Sequence, residues 1–320
     1  MTDQDYLEIE NLVIGYPTRR GEIRAVDGVS FHLSKGRILG LIGESGSGKS
    51  TLGLSMLGMV PAPGRTLGGR VRVGSTVVNS LSGDALRRYR WKEVAMVFQS
   101  AMNALDPVQT VGSQIVETIR QHSDETKEAA ARKAVELLQA VRLDESHMSA
   151  YAHELSGGMR QRVIIALSLC LNPSLLIADE PTTGLDVVVQ SGILSMLKEI
   201  VGSLGLTLIL ISHDISIMGA VCDEIAVMYA GKLVEIGEAD QVINNPHHPY
   251  TQALLGSIIE VGKDGSRAGG IRGTAPDMLH VPTGCRFHPR CPRAFEMCAE
   301  SEPILALHES TQAACWLKDG

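Results

Sequence analysis

The sequence predicts an α/β protein with a layered core around a mostly parallel sheet. Two patterns alternate along the chain: short apolar runs typical of buried strands, and longer segments in which apolar residues recur at helical spacing. The strand-like runs are RILGLIG, VAMVFQ, LLIADE and LTLILISH. The helix-like segments are TLGLSMLGMV, QRVIIALSLCL and QSGILSMLKEIVGSL. The alternation of these two patterns favours the α/β class.

Two further regions complete the predicted fold. The first residues, up to about 35, alternate as antiparallel strands do. Residues 110–150 have a helical pattern, and Ser123 or Asp124 is the expected N-cap of the helix ETKEAAARKAVELLQAV. The apolar face of that helix contains Ala131, Ala134, Leu138 and Val141. Because this helical block interrupts the strand pattern, we expect an inserted helical subdomain at about residues 100–165.

The composition of the chain changes after residue 255. The segment GSIIEVGKDGSRAGGIRGTA, residues 256–275, is rich in glycine and charge, which indicates a linker. Residues 276–320 contain four of the six cysteines and form a small predicted tail. The sequence therefore predicts a main domain over residues 1–255, a linker over 256–275 and a Cys-rich tail over 276–320.

Charge and hydropathy narrow the class of protein. The 320 residues contain 29 Lys and Arg against 36 Asp and Glu, a formal charge of −7, which does not favour a nucleic-acid-binding surface. The start MTDQDYLEIE lacks the features of a signal peptide, and dense apolar runs such as LTLILI are shorter than the ~20 residues of a membrane span. We expect a soluble chain in the reducing cytoplasm, where disulfides are disfavoured.

A phosphate-binding loop is the first chemical motif. GESGSGKST lies between the strand RILGLI and the helix TLGLSMLGM, and it fits G-x-x-x-x-G-K-[ST] with Gly43, Gly48, Lys49 and Ser50. The glycines let backbone N–H groups turn inward around a β-phosphate, and the helix N-terminus adds its dipole. Lys49 is expected to reach the β- and γ-phosphates, and the Ser50 hydroxyl to bind Mg²⁺. The loop predicts a nucleoside triphosphate site.

Polar residues at two strand ends supply candidates for hydrolysis. The buried strand in LLIADEP ends with Asp179 and Glu180. Asp179 can hold Mg²⁺ through water, and Glu180 can accept a proton from an attacking water. The strand-like run LTLILI is followed two positions later by His213. We expect His213 to lie beside the γ-phosphate.

A second anion-binding motif lies about a hundred residues after the loop. LSGGMRQR, Leu155 to Arg162, opens a helix that Ser156 can cap, and Gly157 and Gly158 expose its N–H groups. One chain cannot easily fold both motifs onto one phosphate. Two chains facing head to tail could clamp each γ-phosphate between the loop of one chain and the helix of the other.

Over roughly residues 5–250 these motifs and their order resemble the ATP-binding subunits of ABC transporters. The resemblance implies that Tyr16 stacks on adenine, that Gln99 of VFQSAMNALDP is the Q-loop glutamine and that Asp186 of TTGLD faces a partner subunit. It makes Glu180 the catalytic glutamate and His213 the switch histidine. The implied catalytic residues are Glu180, His213, Gln99 and Lys49, and the implied Mg²⁺ ligands are Ser50, Gln99 and Asp179. The implied ATP contacts are Tyr16, Gly43, Ser45, Gly46, Ser47, Gly48, Lys49, Ser50, Thr51, Ser156, Gly157, Gly158, Gln161 and Asp186.

The segment NNPHHPYTQALL, Asn244 to Leu255, with the Cys-containing tail resembles the oligopeptide/dipeptide branch of this family, which includes relatives for nickel and oligosaccharides. The branch implies an ATPase that drives binding-protein-dependent peptide import at the cytoplasmic face of the cell membrane. Implied partners are two transmembrane permease subunits, a second similar ATPase subunit in a heterodimer and, indirectly, an extracytoplasmic solute-binding protein. No nucleic acid partner is expected.

Other functions stay open beside peptide import. The same machine could import oligosaccharide or nickel. A soluble ABC ATPase acting on nucleic acid or the ribosome is disfavoured by the single cassette, the absence of a heptad run and the charge of −7. A regulator that binds ATP without hydrolysing it is disfavoured by Glu180 and His213.

The tail cysteines raise the last question. Gaps of five, six and sixteen residues separate them, so their spacing matches neither zinc pairs nor ferredoxin runs, and zinc, an iron–sulfur cluster and reduced thiols without metal all stay open. The family resemblance implies a [4Fe–4S] cluster. Its ligands would be Cys285, Cys291, Cys298 and Cys315. We expect Cys170 and Cys222 to be packing residues and His288 to lie at the surface.

Overall fold

Alternating strands and helices make up the computed structural model, which describes residues 5–259, 271–308 and 311–317. The strands in these residues are β1 (Asp5–Thr18), β2 (Gly21–Ser34), β3 (Ile38–Ile42), β4 (Arg65–Val73), β5 (Thr76–Val77), β6 (Val94–Val97), β7 (Leu175–Asp179), β8 (Thr207–Ser212), β9 (Glu224–Tyr229), β10 (Lys232–Glu238), β11 (Ala306–His308) and β12 (Thr311–Ala313). The helices are α1 (Lys49–Met56), α2 (Gly83–Lys92), α3 (Val111–His122), α4 (Lys127–Ala140), α5 (Gly157–Leu169), α6 (Val187–Leu204), α7 (Met218–Val221), α8 (Ala239–Asn244), α9 (Pro249–Ile259) and α10 (Glu296–Glu300). The four predicted buried strands are confirmed as β3, β6, β7 and β8, and the three predicted helices as α1, α5 and α6.

The described residues divide into two compact units. Those within Met1–Ser34, Leu39–Ser80 and Ile211–Gly320 form the first unit, and those within Lys35–Ile38 and Leu81–Leu210 form the second. The first unit thus contains the phosphate loop and the described part of the Cys-rich tail. The second contains the whole of the predicted helical block, residues 100–165.

The first unit is built on two groups of strands. The strands β2, β1, β4 and β5 pair in that order, and the β1–β2, β1–β4 and β4–β5 pairs are antiparallel, as the alternation of β1 and β2 predicted. The other group has the order β11-β12-β10-β9-β3. In it β3 pairs with β9 in parallel, and all five residues of β3 are buried, which is the pattern of a strand covered on both faces.

The tail docks on the edge of this second group. Strand β12 pairs antiparallel with β10, with Gln312 opposite Ile236, and β11 pairs with β12. A segment of this size cannot bury much apolar surface by itself, so docking on a sheet supplies its support. The predicted linker begins inside α9, which runs through Ile259, and its residues 260–270 lie outside the described residues.

The second unit contains strands in the order β8-β7-β6, with β6 and β7 parallel, and the helices α2 to α6. The expected N-cap of α4 is wrong. The hydroxyl of Thr126 caps α4 by accepting a hydrogen bond from the Ala129 N–H (3.2 Å), whereas the Ser123 hydroxyl donates to the Ile119 carbonyl (2.8 Å) at the end of α3. Ser123 is used by the preceding helix, so the next hydroxyl along the chain starts α4.

The apolar face of α4 agrees with the prediction at three of its four positions. Ala134, Leu138 and Val141 are fully buried, and Ala131 is half-buried. By length and composition α6 is the only helix among the described residues that could cross a membrane. Its buried face, from Ile193 to Val201, is that of a helix packed against a protein core.

Buried polar groups join α9 to β10. The Glu235 carboxylate is fully buried and accepts hydrogen bonds from the backbone N–H groups of His247 (2.7 Å) and His248 (3.1 Å). The Nδ1 atom of His248 accepts a hydrogen bond from the Tyr250 N–H (3.0 Å). This arrangement fixes the start of α9 against the sheet, and it keeps the imidazole neutral because Nδ1 must stay unprotonated.

Burial lowers the pKa of His248 from 6.5 to about 3, which predicts a pH-dependent stability. Below pH 6.5 the unfolded chain binds a proton at His248 that the folded chain does not bind. The free energy of unfolding contributed by His248 is therefore intact above pH 6.5 and falls by about 1.4 kcal/mol per pH unit below it, until the pH reaches about 3. Urea unfolding at several pH values measures this slope.

The matched variant is His248→Asn, whose side-chain oxygen can still accept the Tyr250 N–H. Burial raises the pKa of Glu235, so its own contribution has the opposite sign and is lost as pH rises, but wild type and variant share it. We expect a shallower fall in stability below pH 6.5 in the variant. Equal slopes in the two proteins would contradict the assignment to His248.

Candidate functional site

The phosphate loop connects β3 to α1, and two of its glycines have no room for a side chain. Gly43 has φ of +154° and Gly48 has φ of +103°. A Cβ atom at Gly43 would collide with the carbonyl of Met228, and one at Gly48 with the carbonyl of Ala25. Only glycine fits this backbone, which is the conformation a loop needs to turn its N–H groups inward.

Lys49 is buried and its ammonium group lies inside the loop. Its Nζ atom donates hydrogen bonds to the carbonyl oxygens of Gly43 (2.7 Å) and Glu44 (3.0 Å). Among the other predicted phosphate contacts, Ser47 is buried, whereas Ser45, Gly46 and Ser50 are exposed; Gly48 and Thr51 are half-buried. The amine is thus pre-positioned next to loop backbone that a phosphate would approach.

Contacts from the C-terminal third of the chain hold the outside of this loop. The N–H of Gly231, in the turn between β9 and β10, donates to the Ser47 carbonyl (2.9 Å). The N–H of Glu44 donates to the hydroxyl of Tyr250 in α9 (2.8 Å). The Glu44 carboxylate accepts two hydrogen bonds from the guanidinium of Arg290 in the tail (2.6 and 2.9 Å).

Tyr16 and His213 are the remaining residues of the first unit that were predicted to belong to the nucleotide site. Tyr16 is half-buried on β1, with its ring against Gly64. His213 is exposed and directly follows β8. His213 thus lies at the strand end where it was expected, and the roles of Tyr16 and His213 stay predictions.

In the second unit the structure brings Gln99 and Glu180 together. The Gln99 side-chain amide donates to Oε2 of Glu180 (2.9 Å), and the Thr183 hydroxyl donates to the same oxygen (2.9 Å). Glu180 follows β7 with φ of +47°, a conformation rare for a residue other than glycine, and Asp179 before it is buried. The hydrogen bonds from Gln99 and Thr183 therefore hold the Glu180 carboxylate in place.

The second anion motif begins α5 as predicted. The Ser156 hydroxyl accepts a hydrogen bond from the Met159 N–H (3.3 Å), so Ser156 is the N-cap. Ser156 is exposed and Gly157 and Gly158 are half-buried, but Gln161 is 4% exposed. Asp186 caps α6 by accepting from the N–H groups of Val188 and Val189 (3.1 and 3.0 Å). The contribution of each of these residues to a nucleotide site stays a prediction.

The four tail cysteines line one cavity. Cys285, Cys291, Cys298 and Cys315 surround it together with His288, which is half-buried with Nδ1 2.9 Å from the Cys285 carbonyl oxygen. Burial raises the pKa of Cys285 to about 11 and also raises the pKa values of Cys291 and Cys315. The thiols of Cys285, Cys291 and Cys315 are therefore protonated at neutral pH, and none of the chain's cysteines, all of them described, forms a disulfide.

The four thiols of this cavity are donors that suit a thiolate-ligated metal centre. The free volume between them is too small to hold one. The free volume is about 10 Å³, room for a single water molecule. In the described ranges no group of three or more His, Cys, Asp or Glu side chains has the arrangement of a metal site. The thiols would have to move apart to admit a metal or a cluster. Cys170 and Cys222 are buried in the core, as expected of packing residues.

Sequence reasoning missed three residues around the phosphate loop. Glu44 occupies a variable position of the loop motif, and Tyr250 and Arg290 follow it by 206 and 246 residues. Thr183, which shares an oxygen of Glu180 with Gln99, was also missed. The segment containing Tyr250 was recognisable as a family feature, but nothing local to it indicates a contact with the loop.

Comparisons with solved structures define the class of this protein. The chain matches a dimeric, post-hydrolysis state of the ATP-binding cassette MJ0796 bound to ADP and Pi, with a TM-score of 0.65 and 26% identity over 73% of this chain and 98% of that chain. It also matches cbiO1 from Clostridium perfringens, part of the ABC transporter complex cbiONQ, with a TM-score of 0.68 and 27% identity over 76% and 92% of the two chains. The fold is that of an ATP-binding cassette, which confirms the predicted fold class.

Sequence comparisons identify the family. The profile described as ABC transporter matches residues 26–183, and that described as oligopeptide/dipeptide transporter, C-terminal region, matches residues 234–298. The oligopeptide transport ATP-binding protein AppD of Bacillus subtilis is 41% identical over 97% of this chain and 96% of its own length. The dipeptide transport ATP-binding protein DppD of Haemophilus influenzae is 40% identical over 97% and 94%. The chain therefore belongs to the ABC transporter ATPases, in the oligopeptide/dipeptide branch.

The two loop glycines 46 and 48 provide a test of the loop geometry. Both have positive φ, but a Cβ at Gly46 (φ +80°) meets no atom within 4 Å, whereas one at Gly48 meets the Ala25 carbonyl. We expect Gly46→Ala to lower the free energy of unfolding by about 1 kcal/mol, and Gly48→Ala by ~3 kcal/mol or more. Chemical denaturation measures both. Equal losses would contradict the close approach of the loop to β2.

Proposed function

We propose that this chain hydrolyses ATP to drive the uptake of peptides across the cell membrane. The observation that carries the proposal is the similarity, over 97% of the chain, to ATP-binding proteins of oligopeptide and dipeptide transport. The protein's own geometry supports it, because the phosphate loop is formed and its lysine lies within it. Import of oligosaccharide or nickel by the same machine is the alternative substrate class.

The first unit supplies most groups that bind the nucleotide in this proposal. The loop from Gly43 to Thr51 wraps the phosphates with its N–H groups, and Lys49 neutralises the β- and γ-phosphates. Tyr16 stacks on adenine, and His213 contacts the γ-phosphate. The half-buried ring of Tyr16 and the exposed imidazole of His213 support these roles.

The second unit supplies the catalytic base and the groups that act in trans. Glu180 accepts a proton from the attacking water, and its two hydrogen bonds from Gln99 and Thr183 hold the carboxylate in place before the reaction. Ser50, Gln99 and Asp179 are the residues that would hold Mg²⁺, which would supply charge neutralisation at the phosphates when bound. The helix start at Ser156–Gly158 and the turn at Asp186 serve the nucleotide bound to a second cassette.

The exposed start of α5 supports a working dimer. Its N-cap Ser156 is exposed and the following Gly157 and Gly158 are half-buried, so a phosphate held by a second cassette can approach this helix start. Closure of two cassettes around ATP would then complete each site and move the membrane subunits. We propose two permease subunits and a second, similar ATPase as partners, with the chain bound to the cytoplasmic face of the membrane.

Glu180→Gln in the assembled transporter tests the function and the base together. General-base catalysis contributes ~10²–10⁴-fold, so hydrolysis should fall by at least about a hundredfold while ATP binding persists. Uptake of labelled di- and oligopeptides should stop in parallel. The control is Glu145→Gln, which alters an exposed acid of the same unit and should leave hydrolysis and uptake unchanged.

Two outcomes separate the parts of this proposal. Hydrolysis above about a tenth of the wild-type rate in Glu180→Gln would remove Glu180 from the role of general base. A wild-type transporter that hydrolyses ATP but takes up nickel or oligosaccharide instead of peptide would overturn the substrate class and leave the ATPase intact.

We also propose that the four tail cysteines bind a [4Fe–4S] cluster with a structural role. Their convergence on one cavity supports a shared ligand, and thiolates suit both iron–sulfur clusters and zinc. The narrow free space and the raised thiol pKa values mean that loading must both open the cavity and remove protons. The segments that carry the thiols are loops and one short helix, α10, which lets the cavity widen without moving the strands.

Anaerobic purification tests the cluster. We expect a brown protein with about four irons and four sulfides per chain. Cys298→Ser should lose most of the iron, whereas Cys222→Ala, which removes a core thiol outside the cavity, should keep it. A colourless anaerobic protein with stoichiometric zinc, or with no metal, would overturn the cluster without affecting the ATPase.

A further inference from the structure

The contact between the tail and the phosphate loop is the feature that the proposed function does not use. Glu44 carries a carboxylate in a loop whose purpose is to bind a polyanion. The backbone carbonyl oxygen of Glu44 lies 3.0 Å from the Lys49 ammonium. That ammonium is the group expected at the β- and γ-phosphates. An unpaired carboxylate at this position would repel the terminal phosphates.

Arg290 pairs with that carboxylate in a bidentate geometry. Nη1 lies 2.6 Å from Oε2 and Nη2 lies 2.9 Å from Oε1 of Glu44. The Arg290 side chain is 8% exposed and that of Glu44 is 28% exposed, so solvent screens the pair weakly. Hydrogen bonding to Glu44 raises the pKa of Arg290, as expected for a guanidinium whose charge is stabilised by its partner.

Two further hydrogen bonds restrict where the guanidinium of Arg290 can point. Nε donates to the Arg272 carbonyl (2.8 Å), and Nη1 also donates to the hydroxyl of Tyr229 on β9 (3.2 Å). The ring of Tyr229 packs against those of Tyr250 and Phe287, with centroids 4.6 and 5.2 Å away. The arginine is therefore held in place by the tail, the segment before it and β9, independently of Glu44.

We propose that Arg290 is a positioning residue for nucleotide binding, which neutralises Glu44 and keeps its carboxylate directed away from the phosphates. The inference rests on the proposed nucleotide site at the Lys49 loop. It predicts a charge effect rather than only a loss of structure. Removing Arg290 should weaken the binding of ATP more than that of ADP, because the γ-phosphate adds charge near the Lys49 ammonium.

A set of variants of the full chain tests this charge effect. The dissociation constants of ATP and ADP are measured by displacement of a fluorescent nucleotide in EDTA, which stops hydrolysis. For Arg290→Met we expect a roughly tenfold rise in Kd for ATP and a smaller rise for ADP. Glu44→Gln in the Arg290→Met background should restore both constants to within about threefold of wild type, because the carboxylate is then absent.

Arg286→Met is the matched control within the tail. Arg286 is also an almost buried arginine, but it pairs with Asp27 on β2 and donates to the Ala230 carbonyl, not to the loop. Its removal should lower stability and leave the ratio of the two dissociation constants unchanged. If Arg290→Met fails to fold, the double variant with Glu44→Gln decides alone: wild-type affinity supports the proposal and weak ATP binding overturns it.

The outcomes distinguish this inference from the proposed function. A Lys49→Ala variant that binds ATP as wild type does would overturn the nucleotide site itself. If Lys49→Ala abolishes binding but Arg290→Met leaves both constants unchanged, only the role of Arg290 fails. A loss in Arg290→Met that Glu44→Gln does not restore would assign Arg290 to structural support and contradict the charge effect.

Discussion

The phosphate loop must keep its backbone N–H groups turned inward, and much of the first unit is arranged around that requirement. A loop folded in this way has few internal contacts on its outer side, so neighbouring elements must support it. The carbonyls of Ala25 and Met228 approach Gly48 and Gly43, and the Gly231 N–H binds the Ser47 carbonyl. The same turn binds β2, because the Gly231 carbonyl accepts the Asp27 N–H (2.9 Å). Support for the loop therefore comes from both of the first unit's strand groups.

The strands and helices of the core could be predicted because each has a local signal. β3 and β8 are buried on both faces and appear in the sequence as continuous apolar runs. In β1, buried residues alternate with more exposed ones over much of its length, so apolar and polar residues alternate in its sequence. The start of α4 could not be predicted, since Ser123 and Thr126 are equally good caps by composition and the preceding helix decides which one is used. Docking of β12 on β10 was equally hidden, because three residues far along the chain carry no sign of their partner.

The residues of the candidate site also separate into those that have a local sequence signal and those that only the fold reveals. Lys49 and Glu180 could be found because phosphate and water chemistry demands particular residue types at fixed positions, whereas Gln99 was indicated only by the family resemblance. Glu44 and Arg290 look like ordinary charged residues, and only the fold brings them into contact. The cysteines were predicted to act together, and they do line one cavity. What they bind does not follow from their spacing, because the loops between them permit more than one ligand geometry.

Two arginines next to the tail cysteines, Arg286 and Arg290, both form ion pairs with residues outside the tail. Arg286 follows Cys285 and reaches Asp27 on β2, while Arg290 precedes Cys291 and reaches Glu44 in the loop. Guanidinium–carboxylate pairs are directional, so both arginines keep their partners only while the backbone between the two cysteines keeps its shape. The local fold of the tail and the support of the phosphate loop are thus one cooperative unit. Changes to the cysteine segment and to the Arg290–Glu44 pair should not combine additively, because the backbone between Cys285 and Cys291 positions Arg290 toward Glu44.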